Sequence, residues 1–123
     1  MISGSVNARR EAVVRLRVRG PRGVETHVDA LIDTGFDDEL TLPASTIKTL
    51  GLLWWSQSQA HFADGSGRWF DIDSAEVEWD GAWRPIRISA IGDEVLLGMG
   101  MLLQRELRVR VVPGGAVEID RTP

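Results

Sequence analysis

The 123-residue chain contains no cysteine, which excludes disulfides and thiolate metal sites. Tyrosine is absent too, and the two histidines, His27 and His61, stand too far apart to form a metal-binding spacing. With no ligand set for a metal and no cofactor motif, neither a metal nor a cofactor is expected. Lysine is reduced to Lys48, so the basic face of the protein is arginine. No apolar run is long enough to span a bilayer, and no basic-then-apolar segment marks a secretion signal. The formal net charge of −4 argues against a nucleic-acid partner. A cytoplasmic protein with no membrane and no nucleic acid among its partners is expected. The length suits one domain, residues 1–123, with a modest core.

What the chain does have is short apolar runs separated by turn residues. Met1 to Arg10 is polar and reads as frayed or as an edge strand. From Ala12 to Arg19, Val14, Leu16 and Val18 alternate with Arg15, Arg17 and Arg19, the period of a half-buried strand. Gly20-Pro21-Arg22-Gly23 is a turn, and Val24 to Ile32 returns as the second arm of a hairpin. Leu40 to Pro43 is extended. Ala44 to Leu50 is a short helix between Pro43 and Gly51. Leu52 to Gln59 fits either a strand or a loop. A hairpin with a Gly-rich tip spans His61 to Phe70 around Asp64-Gly65, and another joins Ile72–Trp79 to Trp83–Ala90 around Asp80-Gly81. In the latter, Val77 pairs with Trp79 on one face, and Ile86 with Ile88. Val95 to Leu97 is a buried strand, Met101 to Arg105 a second short helix, and Leu107–Val112 with Ala116–Ile119 a closing hairpin. Many short strands and one or two short helices define an all-β fold, a closed barrel or a sandwich. Five tryptophans, Trp54, Trp55, Trp69, Trp79 and Trp83, crowd the middle third and mark either core or an apolar groove.

One stretch carries chemistry. Ala30-Leu31-Ile32 runs as an apolar strand up to Asp33; Thr34 and Gly35 turn the chain, and Asp37 and Asp38 follow. An Asp held at the mouth of a strand by a tight Gly turn suits acid–base work. Together with the later Val95-Leu96-Leu97-Gly98, the stretch resembles the aspartic peptidases of the retropepsin type, over roughly residues 24 to 119. The large Phe36 and the Leu-Thr-Leu-Pro run at 40–43 are closer to the small bacterial cellular members than to the viral ones. The start at Met1 suggests a free-standing gene product.

The resemblance implies a retropepsin-like acid-protease barrel with a Gly-rich flap hairpin. It also implies an aspartic endopeptidase that acts on peptide or unfolded protein. Two carboxylates a few Å apart share one proton; the ionised one activates a water and the protonated one polarises the scissile carbonyl. The chain has one Asp-Thr-Gly, so the resemblance requires a homodimer with one Asp33 from each subunit. It makes Asp33, Thr34 and Gly35 catalytic. It assigns substrate contacts to Asp37 and Asp38 and to Ala63, Asp64 and Gly65 of the flap, and support of the catalytic loop to Leu97 and Gly98. Plainer readings stand beside these: Asp37 and Asp38 as solubilising loop residues, and the hairpin as a surface feature. Met99 stands where retroviral members carry an Arg that ties the dimer together. A non-catalytic homodimeric peptide-binding module is the alternative function.

Overall fold

The computed structural model describes residues 1–123. Ten strands and one helix follow in chain order: β1 Ile2–Val6, β2 Ala12–Arg19, β3 Glu25–Ile32, β4 Leu40–Thr41, α1 Ala44–Leu50, β5 Leu53–His61, β6 Gly67–Trp79, β7 Ala82–Ser89, β8 Leu96–Leu97, β9 Arg105–Val109 and β10 Ala116–Arg121. The strands make one sheet in the order β5-β6-β7-β4-β8-β3-β2-β1-β10-β9. A further pairing of β6 with β2, Val18 opposite Val77, closes strands β6, β7, β4, β8, β3 and β2 into a six-stranded barrel. Closure removes the edges of those six strands.

The alternation in β2 explains the inside of the barrel. Val14, Leu16 and Val18 are buried, each contributing about 1.5–3 kcal/mol by leaving water. The arginines between them lie outside: Arg19 pairs with Glu76 at 3.0 Å and stacks over Trp83 at 4.0 Å. Val77, Trp79, Ile86 and Ile88 complete the wall from β6 and β7. Helix α1 stops at Gly51, whose φ of 62° is the left-handed conformation glycine favours. This helix is too short to cross a membrane, and no other helix exists.

Two readings of the sequence are corrected and one left open is settled. The polar N-terminal stretch is no edge: β1 lies between β2 and β10, held by the registers Gly4–Val14 and Ile2–Ile119. Gly4 permits this, because a Cβ there would collide with the Val13 carbonyl oxygen. Met101–Arg105 is not a helix. It forms successive turns, with Met101 N–H bonded to Gly98 O and Arg105 N–H to Leu102 O, and Gln104 at φ 60° ends the run before β9. The ambiguous 52–59 stretch is strand from Leu53 onward, because β5 runs antiparallel to β6 as far as His61.

Candidate active site

Asp33 leaves β3 while still in the ladder: its N–H donates to the Leu97 carbonyl at 2.9 Å. Its carboxylate is half-buried, and Oδ1 accepts the Gly35 N–H at 2.9 Å. A Cβ on Gly35 would stand 3.2 Å from that same oxygen, so the glycine both seats the carboxylate and leaves it room. Thr34, Gly35, Asp37 and Asp38 are exposed, and the carboxylates of Asp37 and Asp38 make no hydrogen bond or ion pair within the chain.

The segment after β8 braces this loop from behind. Gly98 N–H donates to Glu39 O, Met99 N–H to Phe36 O and Gly100 N–H to Asp38 O, at 2.8–3.1 Å. Leu97 is fully buried. A Cβ on Gly98 would overlap the Asp38 carbonyl oxygen and approach both the ring and the carbonyl of Phe36 to 2.6 Å. The large Phe36 is thus accommodated because residue 98 has no side chain.

The sheet registers decide which residues share a side with Asp33. Ile32, Leu97, Leu40, Ile88, Asp73 and Trp54 form one row across six strands. Leu97, Leu40 and Ile88 in that row are fully buried in the barrel core. The neighbouring row, Leu31, Leu96, Thr41, Ser89, Ile72 and Ser56, faces the other side, and Asp33 lies on that side too. Ile72 is buried, yet it is not part of the main core cluster. It lines instead a groove of about 250 Å³ between the Asp33 loop, represented by Asp38, and the base of the β5–β6 hairpin.

The tip of that hairpin carries Ala63, Asp64 and Gly65, all exposed. Asp64 spends its Oδ1 on the turn itself, accepting Ser66 Oγ–H at 2.6 Å and Ser66 N–H at 2.9 Å, and these bonds lower its pKa below the usual carboxylate range. Gly65 supplies a φ of 86°. No hydrogen bond or ion pair joins the tip to the Asp33 loop, so Asp33, Thr34, Gly35, Asp37, Asp38, Leu97 and Gly98 come together while residues 63–65 stand apart. The tryptophans divide: Trp79 is core, Trp83 is half-buried beneath arginines, and Trp54, Trp55 and Trp69 are exposed on β5 and β6.

Several residues around the site escaped sequence reading. Thr41, almost fully buried, accepts Leu96 N–H and donates to Glu94 O, both at 2.8 Å, and so pins β8 to β4. The Glu39 carboxylate accepts Arg84 Nη2 and the Arg87 backbone N–H, linking the loop to β7. Their partners lie more than forty positions away, so no local pattern announces them. Asp73, buried beside Ile88, has its pKa raised by burial and then by the neighbouring charge of Asp71. No cluster of His, Asp and Glu is arranged to hold a metal ion.

No protein-family model and no curated protein matches the chain. Solved structures do. A retropepsin-like aspartic protease from Rickettsia conorii superposes with a TM-score of 0.62 at 17% identity, over 97% of this chain and 88% of that one. EIAV protease, in complex with the inhibitor HBY-793, gives a TM-score of 0.56 at 17% identity, over 79% of this chain and 89% of that one. The fold is therefore retropepsin-like, a barrel whose sheet order delivers one Asp-Thr-Gly loop per chain.

Proposed function

We propose that the protein is an aspartic endopeptidase that works as a homodimer, with Asp33 of each copy at the twofold axis. One observation carries the reading. The half-buried Asp33 carboxylate is seated by the Gly35 amide on a loop braced at four backbone positions, and it faces the same side as the groove below the β5–β6 hairpin. In the pair, one Asp33 is ionised and the other protonated, because two adjacent carboxylates do not both ionise. The ionised carboxylate takes a proton from water as the water oxygen bonds to the scissile carbonyl carbon. The protonated one hydrogen-bonds the carbonyl oxygen and stabilises the charge developing there. On collapse the C–N bond breaks, the nitrogen takes up a proton and the dyad returns to its starting state. Thr34 ties the two loops together across the axis. Asp37, Asp38 and the tip residues Ala63, Asp64 and Gly65 contact the extended substrate. The exposed Met99, whose N–H is bonded to Phe36 O of the loop, supplies apolar surface for the second copy.

The test is cleavage of a diverse peptide mixture from acid to neutral pH, read by mass spectrometry, with the oligomeric state measured in parallel. Wild type cuts, with a bell-shaped pH profile on the acid side that reflects the shared proton. Asp33→Asn stays folded and dimeric and makes no cuts. A statine-type inhibitor blocks wild type, because its hydroxyl binds between the two carboxylates. Chelator-sensitive or alkaline activity sinks the mechanism. The alternative, a dimeric module that grips extended peptides without cutting them, is favoured by Phe36 and by Met99 in place of an ion-pairing Arg. A dimer that binds peptides and never cuts them establishes it.

A further inference from the structure

A cavity of about 270 Å³ opens on the outer wall of the barrel, beyond the groove beside the Asp33 loop. The sheet registers place its lining around one position. Leu53, Ser74 and Arg87 form one row across β5, β6 and β7; Arg19, Glu76 and Pro85 form the next row on that side. Pro21, Pro85 and the exposed Leu53 give the cavity apolar walls. Ser74 Oγ accepts Arg87 Nη1–H at 3.1 Å, which leaves the Ser74 hydroxyl proton free to donate. The Arg87 guanidinium also lies over Trp55 at 4.1 Å. It stands between this cavity and the groove that holds Asp38, lining both.

Charge and shape narrow the occupant. Glu76 is paired with Arg19 at 3.0 Å, and Glu39, which accepts the Arg87 backbone N–H, is paired with Arg84. Arg87 has no carboxylate partner, so the cavity carries one uncompensated positive charge beside a free hydroxyl donor. A cation would meet Arg87. An inorganic anion would leave the apolar walls wet. An extended peptide would find no strand edge, because β6 is paired on both sides at Ser74. The volume lies just below the range of drug-sized pockets, about 300–1,000 Å³, so the ligand is small. We infer that the cavity binds a small monocarboxylic acid with an aliphatic body. Its carboxylate accepts from Ser74 Oγ–H and from the Arg87 guanidinium, and its chain lies against Leu53, Pro21 and Pro85. The site is independent of the peptidase reading.

Isothermal titration calorimetry with sodium octanoate, 1-octanol and octylammonium chloride tests the site. Tryptophan fluorescence is a second readout, because Arg87 lies over Trp55. Octanoate binds saturably at one site per chain, at least about fivefold more tightly than octanol, and octylammonium binds more weakly than either. Arg87→Met keeps an unbranched side chain beside Trp55, removes the charge and brings octanoate down to the affinity of octanol. Leu53→Asp, at a position 62% exposed and so tolerant of the change, weakens octanoate at least about tenfold. The wild-type comparison of the three probes decides the matter even if a variant does not fold. Asp33→Asn binds octanoate as wild type does. Equal affinities for octanoate and octanol, no saturable binding, or binding that Leu53→Asp leaves unchanged overturn the carboxylate site. Loss of binding in Asp33→Asn also overturns it, by putting the ligand at the Asp33 loop. The peptidase reading stands or falls separately, on the cleavage of peptides.

Discussion

At the scale of single residues, two positions tie the site to the fold. Gly98 is required by contact and not by backbone angle, since the Asp38 carbonyl and Phe36 occupy the space of its Cβ. Gly98→Ala should therefore destabilise the protein by about 3 kcal/mol, at the upper end of overpacking. Because that shift passes straight into the Asp33 loop, peptide cleavage should fall more than the loss of folded protein explains; urea denaturation beside activity separates the two. Asp73 is the second position. Burial raises its pKa above the ordinary 3.8, so the folded state favours the protonated form. The stability it contributes is complete below about pH 3.8 and is lost as the pH rises through its folded value. Asp73→Asn, which mimics the protonated acid, should melt above wild type at neutral pH and together with it in strong acid. A gain that persists unchanged at low pH would deny the carboxyl its role.

At the scale of elements, the β5–β6 hairpin combines a stiff base with a turn that locks itself. Its base pairs without interruption from Ser56–Ile72 to His61–Gly67, after an irregularity between Trp54 and Ser56. Its tip depends on Asp64 capping Ser66. Asp64→Ala should leave the barrel's stability within about 0.5 kcal/mol, as surface changes do, and accelerate amide hydrogen exchange at Ser66 and Gly65. Exchange at the tip indistinguishable from wild type would show that the cap does not order it. The same comparison in a peptide complex would report whether the tip closes over bound substrate.

At the scale of the molecule, the first residue and β9 are tied to the barrel by Asp80 at the β6–β7 turn. Its carboxylate accepts the Met1 amino group at 2.8 Å and Arg105 Nη1 at 2.9 Å. These partners, the amino group first, hold its pKa far below the carboxylate range. The stability it contributes is present above about pH 3.8 and fades as the pH falls toward the depressed value. Asp80→Asn keeps the left-handed backbone, φ 53°, which Asn tolerates, and removes the charge. The variant should melt below wild type at neutral pH, with the gap closing in acid. Equal melting temperatures at pH 7 would make the clasp a surface decoration.

Strand positions, the fate of the alternating β2 residues, the α1 boundaries and the Asp33–Leu97–Gly98 constellation were legible in the sequence, because each is written in local periodicity, turn chemistry or adjacent motif residues. The resemblance read from those residues matches the retropepsin-like fold that the superpositions show. What local pattern misjudged were the polar β1, which is internal because β2 and β10 flank it, and residues 101–105, where successive turns replace a helix. Only the tertiary structure decided that Thr41 and Glu39 fasten the loop, that Trp79 is core while Trp54, Trp55 and Trp69 are exposed, and that Ile72 lines a groove shared with Asp38. Each depends on the side of the sheet a residue faces once the barrel closes. Closure is set by pairings such as Val18 with Val77, fifty-nine positions apart, beyond the reach of any local pattern.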